Sequence, residues 1–384
     1  MKKHWTVLLR LLVAVAGVTY IAANLTWTDR LAVPADFWHV GSPAAELEVV
    51  SQDKDLLAVR LLNGAIAPVQ HTRIGQDSDQ ARWQPSILTT LGGANGLLLL
   101  AGLLLMGLMW PLQTVRWLIL MRCRGLSVSA IKAFRLTMVG LFFNFCMPGL
   151  TGGDLVKAYY AAKGSGARGT AVMSVVFDRI TGLVALALLA GGVGCLMLDQ
   201  PVVRGITLAI GAGIAVGVAA GSLYFSRQLR RILGIDRLRD RVSDRNLLVR
   251  IDRAALAYRD HKAAVMIAVG VGLAVQVTNS LATMLAGYAL GMDVALMLML
   301  IILPVIFLAG AIPISYQGLG VMEAVAMALL LGQTAATANQ IIGMLLIIRL
   351  YLVFYALVGS LLMLRGDIRL HSDNTESEPG MVGP

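Results

Sequence analysis

The chain has 384 residues, of which 57% are apolar and only 14% are charged, and its formal net charge is +10. With a mean hydropathy of +0.75, this composition excludes an ordinary soluble domain and is typical of a multi-span α-helical membrane protein. No basic patch with interleaved stacking aromatics is present, which argues against a nucleic-acid partner. The three cysteines lack the spacing of a metal site or a disulfide framework, so we expect no metal and no cofactor.

The first segment combines a basic end with an apolar run. Lys2, Lys3 and Arg10 precede the apolar residues 11–25, and a basic flank predicts a cytoplasmic amino end. A cleavable signal peptide is the alternative, because small residues lie near the end of the run. We favour an uncleaved N-terminal anchor span over residues 1–25, because a later span needs a helix against which to pack.

Residues 26–90 differ from the rest of the chain in charge and in periodicity. They carry eight acidic and five basic residues, unlike the basic flanks that mark the cytoplasmic side. Residues 46–50 and 56–62 are typical of short strands, and Asn63-Gly64 is a strong hairpin signal. We therefore predict a small β-rich extracytoplasmic insert.

The remaining apolar runs and their basic flanks predict the topology. Residues 84–95 favour an interfacial helix that leads into five further runs long enough to cross a bilayer. Lys and Arg cluster at one end of these runs, which the positive-inside rule assigns to the cytoplasm. These predicted spans are residues 97–120, 170–198, 206–225, 263–290 and 341–364.

Two charged segments lie outside these spans. Residues 227–262 contain eleven basic and five acidic residues, and their apolar spacing favours amphipathic helices on anionic lipid, with a solvated loop as the alternative. Residues 365–384 are rich in Ser, Glu, Gly and Pro, which predicts a disordered cytoplasmic tail.

Two further apolar segments are each interrupted by helix-breaking residues. Pro lacks a backbone N–H and cannot continue a helix, and Gly permits tight turns. Paired interruptions in the two halves of a membrane protein point to a transport site. The residues predicted to break these helices are Pro148, Gly149, Gly152, Gly153, Pro313, Gly318 and Gly320.

The first interrupted segment has basic residues on both flanks, and no basic flank separates the second from its neighbouring spans. Both patterns indicate that the chain enters and leaves the bilayer from the same side. We predict one re-entrant hairpin from the cytoplasm over residues 131–163 and an opposed one from outside over residues 295–332. The fold class is thus an all-α polytopic membrane protein with six spans, two opposed re-entrant broken-helix hairpins in an inverted-repeat-like layout, and the β-rich insert. The transmembrane domain covers residues 91–364. The alternatives are eight or more full spans, or two plain interhelical loops at the interruptions.

Charged side chains within apolar spans cost about 2.5–3.5 kcal/mol each on insertion scales, so they are candidates for function. Arg suits a phosphate through its planar fork of donors, and helix N-termini offer N–H groups to the same anion. Asp178 and Glu323 would serve as counter-ions, or as proton carriers if transport is proton-coupled. The candidate headgroup-binding residues are Asn144, Asp154, Lys157, Asp178, Arg179, Gln317, Glu323 and Arg349. The alternative is that the charges form structural ion pairs among themselves.

Polar residues beside the interruptions have two interpretations. Asn144, Ser315, Tyr316 and Gln317 either bind a headgroup or satisfy the backbone groups that the interruptions free. No nucleophile, metal or phosphate-loop motif of a known enzyme class occurs, so we expect no catalytic residue.

Four motifs in order resemble the lysylphosphatidylglycerol synthase transmembrane family, also described as flippase-like integral membrane proteins. The resemblance covers about residues 97–364. The motifs are residues 139–144 with Pro148-Gly149 and 152–159, residues 174–183, residues 313–323, and the span that contains Arg349. The chain departs from this pattern at Tyr316-Gln317, where family members usually have Pro-Gly. It also has no aminoacyl-transferase domain after the membrane region, so we expect no transfer of lysine from tRNA.

The resemblance implies a bacterial or archaeal inner-membrane protein that moves a phospholipid or lipid-linked headgroup between leaflets, and we expect a bacterial one. The basic residues that flank the first and last spans predict that both termini are cytoplasmic. The ligands of such a protein would be membrane lipids with an anionic or lipid-phosphate headgroup. One alternative is a membrane scaffold or regulator that does not transport and that serves a lipid-modifying or glycosyltransferase partner. A second alternative is a membrane-embedded transferase with Asp154 as its base.

Overall fold

The computed structural model describes residues 2–35, 37–38, 44–52, 56–70, 74, 80–146, 152–163, 168–226, 247–312, 315–331 and 333–364. Three of the predicted helix-breaking residues, Pro148, Gly149 and Pro313, lie outside these residues. So do the predicted tail over 365–384 and the part of the basic segment over 227–246.

Helix α1 (Lys2–Asn24) leads into a small antiparallel sheet. Its strands are β1 (Arg30–Val33), β2 (Ala45–Gln52), β3 (Leu56–Arg60), β4 (Ile66–Gln70) and β5 (Arg82–Gln84), in the spatial order β4-β3-β2-β1-β5. Leu31, Leu57 and Val59 pack in a core of their own on one face of the sheet, as the alternation of side chains along a strand allows.

The two predicted strands are present as β2 and β3. The predicted turn at Asn63-Gly64 joins β3 to β4, and Gly64 has φ 83°, a left-handed conformation that glycine adopts without strain. The predicted interfacial helix is a shorter one, α2 (Ile87–Gly92), and the side chain of Ser86 caps it. The extracytoplasmic position of this insert stays a prediction.

The rest of the described chain is helical. The helices are α3 (Gly96–Arg122), α4 (Ala130–Cys146), α5 (Gly152–Ala162), α6 (Arg168–Gly194), α7 (Pro201–Phe225), α8 (Leu247–Leu256), α9 (Lys262–Ala289), α10 (Leu296–Ala311), α11 (Val321–Leu330) and α12 (Ala338–Leu364). Short 3₁₀ turns occupy Ala257–His261 and Tyr316–Gly318.

Among the described residues, five helical segments are long and apolar enough to cross a membrane. They are Gly96–Arg122, Gly169–Gly194, Pro201–Phe225, Asp252–Ala289 and Ala338–Met363. Each coincides with one of the predicted spans after the insert. The first predicted span falls in α1, of which Val15–Asn24 forms a shorter apolar segment, and its crossing of a membrane stays a prediction.

The helices beside the two interruptions are shorter. Helices α4, α5, α10 and α11 have 17, 11, 16 and 10 residues. At a rise of 1.5 Å per residue, they are about 15–26 Å long, whereas the hydrocarbon core of a bilayer is about 30 Å thick. These lengths are compatible with the two predicted re-entrant hairpins.

Helix α12 is attached to α3 by two tyrosines. The hydroxyl groups of Tyr351 and Tyr355 donate to the backbone carbonyls of Leu99 and Leu103, over 2.6 and 2.7 Å. A partly buried tyrosine needs such an acceptor, because its hydroxyl proton has no water to bind in an apolar interior. These contacts fix the helix that carries Arg349 against the first long span.

Candidate functional site

The first interruption lies between α4 and α5, which run side by side. The backbone N–H of Gly153 donates to Oδ1 of Asn144 over 2.9 Å, so Asn144 satisfies a donor that a helix start leaves unpaired. A Cβ at residue 153 would overlap the carbonyl oxygen of Gly140. Only glycine therefore allows the two backbones to come this close.

The second interruption lies between α10 and α11 and uses left-handed backbone. Gly318 and Gly320 have φ 71° and 82°, and Gln317 has φ 49°, a conformation that costs a residue with a Cβ more than it costs glycine. The backbone N–H of Gly320 donates to Oε2 of Glu323 over 2.7 Å. This carboxylate thereby starts α11, as expected for an acidic residue in the first turn of a helix.

The two interruptions are in contact, although they are 173 residues apart in sequence. Nε2 of Gln317 donates to the carbonyl of Asn144 over 3.1 Å, and the hydroxyl of Tyr316 donates to the carbonyl of Phe145. These carbonyls lie at the end of α4, where a helix leaves its acceptors without partners. Tyr316 and Gln317 therefore satisfy freed backbone groups, which is one of the two interpretations of the sequence.

Arg349 joins α12 to the second interruption. Its Nη2 and Nε lie 2.6 and 3.2 Å from Oε1 of Glu323, and its Nη1 donates to the carbonyl of Gln317 over 3.3 Å. The side chain of Glu323 is 1% exposed and that of Arg349 is 19% exposed. The arginine thus holds the interruption and keeps part of its guanidinium accessible.

Arg179 and Asp178 are neighbours in sequence but have different partners. Nε of Arg179 donates to Oδ2 of Asp154, and these side chains are 42% and 17% exposed. Asp178 forms a buried pair with Arg116 of α3, with Nε 2.7 Å from Oδ1. The first pair is therefore partly exposed, and the second is buried.

Arg116 was missed as a site residue by the sequence analysis, in which it belongs to the basic flank of a span. The structure buries it. Its position in the sequence indicated this depth, because Arg116 lies six residues before Arg122. This spacing corresponds to about 9 Å along the helix axis. Its neighbour Trp117, which fits an interfacial aromatic by sequence, is also buried, and its indole N–H donates to Oγ of Ser174 over 3.2 Å.

Lys157 is the fourth cation of this region and is 5% exposed. Its Nζ lies 5.2 Å from the ring centroid of Trp117, a distance at which the ring attracts a cation. Within the described part of the chain it forms no direct ion pair, although Asp178 and Asp154 are near enough to attract it. Three arginines each pair with a carboxylate, whereas Lys157 pairs with none of the described residues.

At the second interruption, a buried hydroxyl group has no hydrogen-bond partner among the described residues. This group is Oγ of Ser315, the residue with which the interruption begins. Buried polar groups are normally paired. The second interruption thus contains a buried hydroxyl group that is free to bind a polar ligand.

Comparison with known proteins identifies the family. A family profile, described as the lysylphosphatidylglycerol synthase TM region, matches residues 85–359. The match begins directly after strand β5 and includes both interruptions and every charged residue described above. Neither the curated proteins nor the solved structures contain a match to the chain. Because the profile covers well over half of the sequence, the chain belongs to the family of the lysylphosphatidylglycerol synthase transmembrane region.

Proposed function

We propose that the protein moves the headgroup of a phospholipid or lipid-linked substrate between the leaflets of a bacterial plasma membrane. The observation that supports this most directly is Lys157, a buried lysine that forms no direct ion pair with any described residue. It lies near two arginine–carboxylate pairs, those of Asp154 and Asp178. A buried charge is costly unless it is matched. A lipid phosphate supplies the missing negative charge.

In this proposal, Arg179 and Arg349 contact the headgroup directly, and Asp178 acts indirectly. Arg179 is the more exposed arginine and meets the headgroup first. Arg349 offers the remaining N–H donors of its guanidinium, which has five in all. The phosphate competes with Asp154 and Glu323 for these arginines, so one set of ion pairs replaces another and the acyl chains stay in the bilayer. Asp178 supports the site indirectly, because it neutralises Arg116.

The test is translocation of fluorescent lipids in proteoliposomes, with zwitterionic, anionic, aminoacylated and polyprenyl-phosphate headgroups, with and without a proton gradient. We expect wild-type protein to move one phosphate-bearing class. Lys157→Met is expected to lower the rate at least about tenfold, as loss of a charged contact of about 1.5–3 kcal/mol predicts, and Lys157→Arg is expected to retain most of it. Lys132→Met, an exposed lysine of α4, is the matched control.

Two results would contradict the proposal at different levels. Equal rates for Lys157→Met and Lys132→Met would remove Lys157 from the site. Absence of movement of any lipid by folded wild-type protein would overturn translocation itself. Co-purification of a lipid-modifying enzyme would then favour a scaffold or regulator.

A further inference from the structure

A polar cavity lies where the sheet meets the helices. Its volume is about 610 Å³, within the range of small-molecule pockets. Trp83 and Pro85 line it from the insert side, and the ends of α9, α3 and α12 complete it. Its residue Gln340 lies nine residues before Arg349 on α12, about 13 Å along the helix axis. The cavity is therefore separate from the charged site at the interruptions.

The charge of the described lining disfavours an anionic ligand. Asp293 contributes a carboxylate, which is exposed and has no ion pair within the described residues. No Lys, Arg or His lines the cavity in the described part of the chain. A phosphate would meet a like charge and no cation, so this cavity differs in chemistry from the site around Lys157.

The hydroxyl groups of the lining donate hydrogen bonds to other groups of the protein. Those of Thr89, Thr90, Tyr288 and Thr337 donate to Asp29, Ser86, Val294 and Gln340, over 2.8, 2.8, 2.8 and 3.2 Å. A hydroxyl oxygen whose proton is engaged still accepts hydrogen bonds. Together with the carboxylate of Asp293, the lining therefore accepts more hydrogen bonds than it donates.

Two side-chain donor groups of the lining, one buried and one exposed, donate to no described residue. The indole N–H of Trp83 is buried and has no hydrogen-bond partner among the described residues, an arrangement that native proteins rarely leave unfilled. The side-chain oxygen of Asn95 accepts from the N–H groups of Leu97 and Leu98 at the start of α3. Its NH₂ group donates to no described residue.

We propose that this cavity binds a neutral group rich in hydroxyls, such as a sugar ring. A hydroxyl both donates and accepts, so it matches the acceptors of the lining and supplies the acceptors that Trp83 and Asn95 lack. An ammonium group only donates and would leave both of them unpaired. The insert thus completes a recognition site with the helices, whether or not the charged site translocates lipid.

The test uses the full chain in a polyacrylate amphipol, which contains no sugar or glycerol, and measures dissociation constants by saturation-transfer NMR. The soluble probes are methyl β-D-glucopyranoside, choline chloride and sodium phosphate. We expect the glucoside to bind, and Trp83→Phe and Asp293→Asn each to weaken it about three- to tenfold, the usual effect of one hydrogen bond. Trp27→Phe and Asp199→Asn alter exposed residues outside the cavity and are expected to change nothing.

A second arm identifies the source of the sugar. Addition of a glucosyl diacylglycerol that suppresses the glucoside signal would indicate a lipid headgroup, and no suppression would indicate a free solute. Choline binding that depends on Trp83 and Asp293, without glucoside binding, would overturn the assignment in favour of an ammonium ligand. Failure of every probe to bind folded protein, or glucoside binding that neither variant weakens, would overturn the site.

Discussion

At the scale of single residues, the three arginine–carboxylate pairs differ in how exposed their side chains are. The pair Arg116–Asp178 is buried on both sides, whereas Arg179–Asp154 is open. Two charges withdrawn from water are stable only when each keeps its partner. The burial of this pair favours a structural role for Asp178, whereas headgroup binding by the more exposed pairs stays a prediction.

Removal of one partner of the buried pair is expected to destabilise the protein. Asp178→Asn leaves Arg116 buried and unpaired, at a cost of about 3–5 kcal/mol, whereas the double variant Arg116→Met with Asp178→Met removes both charges and recovers most of it. Thermal unfolding of the purified protein measures this. Arg30→Met, which removes one side of an exposed pair with Glu46, is the control, with an expected change of about 1 kcal/mol or less. Equal losses in the single and double variants would contradict the argument.

Arg349→Ala is expected to abolish lipid translocation while the protein is still made. The variant removes the donors to Glu323 and to the carbonyl of Gln317 and any contact with the headgroup. The proteoliposome assay measures the rate, and Arg204→Ala, an exposed arginine of α7, is the control. Wild-type rates in Arg349→Ala would refute its role. Recovery in the double variant with Glu323→Ala would show that Arg349 acts only by neutralising that carboxylate.

At the scale of helices, glycines allow the contacts that surround the two interruptions. Gly153 of α5 meets Gly140 of α4, and Gly17 of α1 meets Gly320 at the start of α11, where a Cβ on residue 17 would lie 2.7 Å from the Cα of Gly320. Without water between helices in a bilayer, such close backbone contact is a main source of association. The contact of α1 with the second interruption favours the interpretation of α1 as a retained anchor.

Gly153→Ala is expected to separate α5 from α4 and to weaken the bond between Gly153 and Asn144. Overpacking of a close contact costs about 1–3 kcal/mol, which would lower the temperature of thermal unfolding. Gly213→Ala is the matched control, because a Cβ there meets nothing within 4 Å and alanine favours a helix. If both variants unfold at the same temperature as the wild type, the close contact does not stabilise the hairpin.

At the scale of the whole molecule, the described residues form five long apolar helices and two interrupted pairs of shorter ones. The sheet lies where α3 and α12 begin and α9 ends, since Asn339 of α12 donates to the carbonyls of Thr26 and Pro85 over 3.4 and 2.7 Å. In the predicted topology, α3 and α12 begin on the side of the membrane where α9 ends. This arrangement agrees with an insert that lies opposite the basic flanks.

Cysteine accessibility tests the re-entrant hairpin. Cys146 lies exposed at the end of α4 and is the natural reporter, once Cys123 and Cys195 are replaced by serine. In intact cells, a membrane-impermeant maleimide is expected to label Leu62→Cys in the insert and to spare Cys146 and Ser127→Cys, if the hairpin enters from the cytoplasm as predicted. Labelling of Cys146 from outside would mean that α4 crosses the bilayer completely, as the alternative with more spans requires.

The sequence by itself determined the membrane class, the five long helices, the two interruptions and the family, because apolar length, basic flanks and helix-breaking residues are local properties. It identified β2 and β3. It did not identify β1 and β5, which have only four and three residues, or β4, which contains Pro68, a residue that argues against a strand. Only the tertiary structure decided which charges pair and that Lys157 pairs with none of the described residues. It also placed Arg116 and Trp117 in the interior and joined the insert to the helices around a cavity. These outcomes depend on contacts between segments far apart in sequence, such as Arg116 with Asp178, 62 residues away, and such contacts arise only when the helices pack.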